Sequence, residues 1–182
     1  RGGRRTGWNC SGAMVYDSKG RVVSQGQPVF SDGSAPPPLP ELVRPVESAY
    51  DCMNRVIRKH LPDGADIFFN YSVEGHHLVI TTTDPLGNST ESVKGARDEV
   101  LAVRKKDGGG NVLTRSSYSY NPLQEMTGAR DHFGNSYLFT YDLAGNRRTI
   151  MSPDAGLVEF FYDTAGNLVQ KTDANLRAKG QA

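Results

Sequence analysis

The chain has 182 residues, 37% of them hydrophobic, and its 21 basic and 20 acidic side chains leave a formal net charge of +1. That length allows one domain with a real core, and the charge balance gives no whole-chain electrostatic case for nucleic acid or an anionic membrane as partner. No apolar run reaches the roughly 18 residues of a membrane-spanning helix, and the start lacks the apolar stretch of a signal peptide, so export by another route or an origin inside a longer protein is expected.

Residues 1–12 read as an irregular N-terminal segment. Arg1, Arg4 and Arg5 with Gly2 and Gly3 resemble a basic arm, but a frayed or cut start is the favoured reading. Trp8, the only tryptophan, is expected to pack on the first strands. Residues 13–177 read as an array of β-hairpins interrupted by a proline-rich loop at 31–45. Pro36, Pro37, Pro38 and Pro40 forbid a sheet interior there. Pro37 and Pro40 also make a PxxP match, which reads better as a stiff surface loop than as an SH3-type ligand.

Residues 41–60 pose a conflict. Leu42, Val43, Val46, Ala49, Tyr50, Met53, Val56, Ile57 and His60 fall at helical spacing. Against a helix stand Pro45 and the turn at Leu61-Pro62-Asp63-Gly64. Strand–turn–strand is the reading adopted for 46–61. Further strands are expected at 67–73, 78–83, 112–120, 136–141, 147–151, 158–162 and 168–172, all short and rich in aromatic and β-branched residues. In the run 136–141, Tyr137, Phe139 and Tyr141 should point one way, Leu138 and Thr140 the other. Residues 93–101 look like a degenerate unit, and 178–182 like a small polar tail.

A phrase recurs along this array. Tyr141-Asp142-Leu143-Ala144-Gly145-Asn146 is followed 21 residues later by Tyr162-Asp163-Thr164-Ala165-Gly166-Asn167. Tyr120 opens a weaker copy 21 residues before Tyr141, and Tyr50 stands 21 before Tyr71. Tyr16-Asp17-Ser18-Lys19-Gly20 and Tyr50-Asp51 are upstream copies. A second turn series interleaves with these, at Asp84–Gly87, Asp107–Gly110, Asp131–Gly134 and Pro153-Asp154. A fixed period of this size marks a repeat architecture.

The phrase has a backbone explanation. An aspartate opening a type I turn accepts hydrogen bonds from the amides that follow. Glycine at the fourth position takes the left-handed conformation that closes a hairpin with a bulge. The tyrosine ends the incoming strand, where its ring can pack on the neighbouring hairpin. The structural repeat residues are therefore Tyr16, Asp17, Gly20, Tyr50, Asp51, Asp84, Gly87, Asp131, Gly134, Tyr141, Asp142, Gly145, Tyr162, Asp163 and Gly166.

These phrases resemble the YD-repeat, or Rhs-repeat, family, and most of all the B component of bacterial insecticidal toxin complexes. The resemblance covers roughly residues 13–175 and is most specific at 141–147 and 162–168. It implies an all-β fold: consecutive antiparallel hairpins forming a ribbon that is one sector of a hollow shell. It also implies a secreted bacterial protein without catalytic activity or cofactor. The implied partners are the remainder of the shell, in the same or an associated chain, and an enclosed toxin polypeptide. Teneurins share the shell and use it for adhesion, which gives the alternative reading; receptor or sugar contacts would then fall on aromatics such as Phe68, Tyr137 or Phe160. The family's self-cleaving end motif has no match here, so the segment looks internal.

Chemistry finds little footing. There is no Gly-x-Ser-x-Gly, and Gly108-Gly109-Gly110 lacks a following Lys-Ser/Thr. Cys10 and Cys52 lack metal-ligand spacing and read as two ordinary thiols, with one disulfide as the minority option. His76-His77 would face opposite ways on a strand, which favours a solvated hairpin tip over a metal site. Asp131, Asp142, Asp154, Asp163 and Asp173 are too dispersed for a calcium loop and read as turn caps. The sequons at Asn9, Asn70 and Asn88 read as chance products of turn composition.

Overall fold

A computed structural model describes residues 7–33 and 42–180 of the chain. The basic arm and the PxxP match lie outside the described residues. The chain divides into two compact units, one comprising Arg1–Asn70 with Thr81–Gly87, the other Tyr71–Ile80 with Asn88–Ala182.

In the first unit, β1 (Gly7–Cys10) pairs antiparallel with β4 (Val29–Asp32) as a separate two-stranded sheet. The irregular reading of the N-terminal segment is thus corrected over residues 7–10: its four residues gain a full ladder from a strand about 20 residues away, which no local pattern announces. Trp8 lies opposite Ser31 in that ladder and is 44% exposed. β2 (Met14–Tyr16) pairs with β3 (Val22–Gln25), β3 with β5 (Val46–Tyr50), and β5 with β6 (Val56–His60). The contested segment 46–61 is therefore a hairpin. The carboxylate of Asp51 takes amide hydrogen bonds from Met53 (2.8 Å) and Arg55 (2.9 Å), locking a turn where the helical spacing would need continuity.

β7 (Asp66–Glu74) pairs with β6 at its start and, like β8 (His77–Thr83), divides between the units. The second unit continues with β9 (Ser89–Lys94), β10 (Val100–Lys106), β11 (Val112–Tyr120), β12 (Met126–Arg130), β13 (Ser136–Tyr141), β14 (Arg147–Ser152), β15 (Gly156–Tyr162) and β16 (Leu168–Thr172). From β9 to β16 each strand pairs antiparallel with the next. With β1 and β4 set aside, the strands from β2 to β16 stand in sequence order as a 14-stranded sheet that does not close into a barrel.

The fold is all-β, with one short helix among the described residues, α1 (Ala174–Ala178). This helix is a correction to the hairpin array, which was expected to run to residue 177. Asp173 starts it, accepting the Leu176 amide at 2.9 Å, as a helix N-cap does. β9, β10 and β12 are strands without a strong strand signature. Gly128 in β12 is there for closeness: a Cβ would come within 2.6 Å of Ser119 Oγ on the paired strand.

The alternation expected in β13 is seen in its burial, with Tyr137, Phe139 and Tyr141 half-buried and Ser136, Leu138 and Thr140 exposed. Full burial is scarce. Among the described residues, Val79, Val93, Ala102 and Val158 are the buried hydrophobic side chains, and Thr172 is the buried polar one. All five lie in the second unit.

Candidate functional site

The turn at 142–146 shows how each phrase works. The amide of Asp142 donates to the Asn146 carbonyl at 2.9 Å, and that of Gly145 to the Asp142 carbonyl at 3.1 Å. Asp142 Oδ1 accepts the amides of Ala144 and Asn146, both at 2.9 Å. Asp142 Oδ2 accepts Asn146 Nδ2 at 3.1 Å. One carboxylate thereby spends both oxygens on two residues, Ala144 and Asn146, of its own five-residue turn. The ladder slips by one residue just before it, between Thr140 and Tyr141, so a bulge closes the hairpin. Gly145 has φ 83°, a conformation that costs a residue with a Cβ.

The same ring of hydrogen bonds forms at Asp107–Asn111, Asp131–Asn135 and Asp163–Asn167. At Asp17 and Asp51 the fifth residue is arginine. Arg21 and Arg55 each donate Nε to the aspartate Oδ2 at 2.7 Å and bring Nη2 onto the same oxygen, at 2.6 and 2.7 Å, closing an ion pair. At Asn121 the polarity is exchanged: Asn121 Oδ1 accepts the amides of Leu123 and Glu125, and Asn121 Nδ2 donates to Glu125 Oε2 at 2.6 Å. The fifth residue is a functional member of the turn that the phrase alone does not assign. Its signal in the sequence is the recurrence of Asn or Arg at that position in most copies.

The remaining turns vary the theme. At Asp84 the Leu86 amide donates to Oδ1 at 2.9 Å, and the Gly87 amide to the Asp84 carbonyl at 3.0 Å. At Gly95–Glu99 the aspartate is absent from the first position, and Glu99 accepts the Arg97 amide from the fifth at 2.9 Å. Asp98 takes the left-handed conformation there (φ 67°), as Asn54 and Gln124 do in their turns. At 153–155 the cap is Ser152 Oγ, which accepts the Ala155 amide at 3.1 Å, so the turn-cap reading of Asp154 gives way to its neighbour.

Hydrogen bonding holds Asp17, Asp51, Asp107, Asp131, Asp142 and Asp163 ionised to lower pH than usual. The side-chain amides of Asn111, Asn135, Asn146 and Asn167 are the foremost cause at Asp107, Asp131, Asp142 and Asp163, with the turn amides adding to them. For Asp17 and Asp51 the foremost cause is the backbone amide of Arg21 or Arg55, followed by its guanidinium.

The tyrosines do more than pack. Tyr141 OH donates to the Met126 carbonyl at 2.8 Å, and Tyr162 OH to the Arg147 carbonyl at 3.1 Å. Tyr120 OH reaches the Val100 carbonyl at 3.1 Å, and Tyr50 OH the Val22 carbonyl at 2.8 Å. Every acceptor is the residue next after the fifth position of the preceding turn on the same edge: Val22 after Arg21, Val100 after Glu99, Met126 after Glu125, Arg147 after Asn146. Each hydroxyl therefore latches its own turn to the one before it. Tyr16 differs, being 57% exposed with its hydroxyl near Met14 Sδ at 3.5 Å.

The repeat residues are not drawn into one pocket. In the second unit the turns opening at Gly95, Asn121, Asp142 and Asp163 share one edge, and those at Asp107, Asp131 and Pro153 the other. In the first unit Asp17 and Asp51 share an edge. His76 and His77 are exposed at the β7–β8 connection, and Cys10 and Cys52 are free thiols. Among the described residues no group of three or more His, Cys, Asp or Glu could hold a metal ion, and no helix is long and apolar enough to cross a membrane. Phe68 is 49% exposed, whereas Tyr137 and Phe160 are half-buried.

No family model matches the chain, and no curated protein matches it. Solved structures do. The crystal structure of TcdB2-TccC3-TEV matches with a TM-score of 0.67 and 18% identity, covering 90% of this chain and 9% of that chain. TcdB2-TccC3 without its hypervariable C-terminal region matches with a TM-score of 0.67 and 19% identity, covering 92% and 9%. The Photorhabdus luminescens Tc holotoxin pore, with a mutated TccC3, matches with a TM-score of 0.68 and 18% identity, covering 92% and 9%. The chain has the fold of these Tc toxin chains, which is the fold the Tyr-Asp phrases implied, and it spans 9% of their length.

Proposed function

We propose that this chain is a non-catalytic wall segment of a YD-repeat shell, in a secreted bacterial toxin complex, that encloses and shields a toxic polypeptide for delivery. The observation that carries this reading is a sheet of 14 sequential strands in which four hydrophobic side chains are buried among the described residues. A self-sufficient domain of this length would bury far more of its apolar surface. The half-buried face and unpaired outer strands suit a ribbon that neighbouring shell covers. The turns support the same role, since their carboxylates and latch hydroxyls are committed to bonds within the ribbon. The Tc toxin likeness in fold adds to it.

Sedimentation velocity of the 182-residue chain, together with its unfolding profile, tests the wall reading. Association through open edges is expected. A stable monomer that unfolds cooperatively would contradict it.

A further inference from the structure

The second unit carries a basic recess beside the 131–135 turn. Arg104, Arg115 and Arg130 share one face of β10, β11 and β12: Arg104 stands directly opposite Arg115, and Arg130 opposite Ser117. Like charges placed opposite one another are unfavourable unless compensated. Arg104 is compensated. It donates to both carboxylate oxygens of Glu74, at 3.0 and 3.3 Å, and lies 3.6 Å from Glu91. Lys106 also pairs with Glu91. The guanidiniums of Arg115 and Arg130, by contrast, make no hydrogen bond or close ion pair among the described residues, although Arg115 is near enough to Glu74 to help hold that carboxylate ionised, and both arginines are exposed.

These two guanidiniums line a recess of about 420 Å³ with Ser117, His132 and Phe133. A second recess of about 560 Å³ adjoins it across Arg115 and reaches Lys106. Asp131 lines both, but its oxygens are taken by the amides of Phe133 and Asn135 and the side chain of Asn135. Phe133 stands 87% exposed at the rim, its ring edge-on to His132 at 5.5 Å between centroids. Arg130 lies against the same turn: its guanidinium nitrogen is 3.3 Å from where a Cβ on Gly134 would sit.

We propose that this recess binds an extended acidic peptide segment, with alternate carboxylates on Arg115 and Arg130 and an apolar side chain on Phe133. Arg115 and Arg130 are diagonal neighbours across β11 and β12, a separation of about 7–8 Å between such positions. Carboxylates at alternate positions of an extended chain lie about 7 Å apart, so two of them match the pair. A lone oxoanion would meet one guanidinium or the other and leave the rest of the strip unused. Guanidinium is suited to the work because it takes a carboxylate with two parallel hydrogen bonds. This site does not depend on the shell reading.

The test uses the 182-residue chain and a fluorescent peptide that carries Glu, Glu and Phe at alternate positions with Ser between them, so that all three face the recess, read by anisotropy. The peptide is expected to bind, and more weakly as salt rises. Arg115→Gln and Arg130→Gln should each weaken it at least about fivefold, while Lys171→Gln on β16 leaves binding unchanged. Both arginines are exposed and unpaired, so the variants keep the wild-type circular dichroism. No binding by the wild type, an equal loss in Lys171→Gln, or unchanged binding in both arginine variants overturns the proposal. Equal binding of a peptide with Gln in place of Glu overturns it too, as does full displacement by inorganic phosphate at the peptide's own concentration.

Discussion

Removing one oxygen atom should loosen one turn of this ribbon. Tyr141→Phe deletes the hydroxyl that donates to the Met126 carbonyl at 2.8 Å and leaves the ring in place. The bond is part-buried, and a neutral hydrogen bond of that kind contributes about 1 kcal/mol net. Local opening of the 142–146 turn should then become about fivefold more frequent. Hydrogen exchange followed by mass spectrometry reads this directly in the amides of Gly145 and Asn146, whatever the association state of the chain. Tyr162→Phe removes a longer, solvent-exposed bond to Arg147 at 3.1 Å, so its effect on 163–167 should be about twofold. Tyr16→Phe, whose hydroxyl meets only Met14 Sδ, should leave 17–21 unchanged. Equal exchange in wild type and Tyr141→Phe, or an equal effect from Tyr16→Phe, would refute the latch.

Other perturbations separate the parts of the turn. Gly145→Val and Gly166→Val place a β-branched residue at φ 83° and 82° and should cost about 1–2 kcal/mol each; Gly145→Asn should cost less, since Asn54 holds that position in its own turn. An unchanged melting profile for both valine variants would remove the turn assignment. The carboxyls of Asp142 and Asp163 titrate below the unfolded aspartate value, so these folded turns bind fewer protons than the unfolded chain near that pH. Their contribution should be complete above about pH 4 and lost as pH falls through the folded values; carbon-13 titration of Asp142 and Asp163 checks the sign. Arg104→Gln should destabilise by about 1–2 kcal/mol because Glu91, 14% exposed, loses a cation. Glu74→Gln, at a carboxylate 60% exposed, should matter less in the same melting experiment.

The turns were legible because their physics is local. Asp142, Gly145 and Asn146 sit within five residues and make one ring of hydrogen bonds, so a repeated phrase carries nearly all the information. The same locality overruled the helical spacing at 46–61, where Asp51 fixes a turn. What the sequence hid depends on distant partners. The Tyr141 hydroxyl meets a carbonyl 15 residues away, and β1 meets β4 across a phrase of its own. β12 reads Met-Thr-Gly-Ala-Arg and becomes a strand only because β11 and β13 flank it. The Gly95–Glu99 turn moves its carboxylate from the first to the fifth position, which breaks the phrase while keeping the two backbone hydrogen bonds and the bond to the third residue's amide. The basic recess was equally hidden, since Arg104, Arg115 and Arg130 come together only through register.

Electron cryomicroscopy of the native assembly, purified through a tag on this chain, tests the central claim most directly. The hairpin ribbon should appear as wall, with its Tyr-Asp turns along one rim and polypeptide density enclosed behind it. A particle in which this sheet surrounds nothing, or in which it folds into a separate solid domain, would contradict the account.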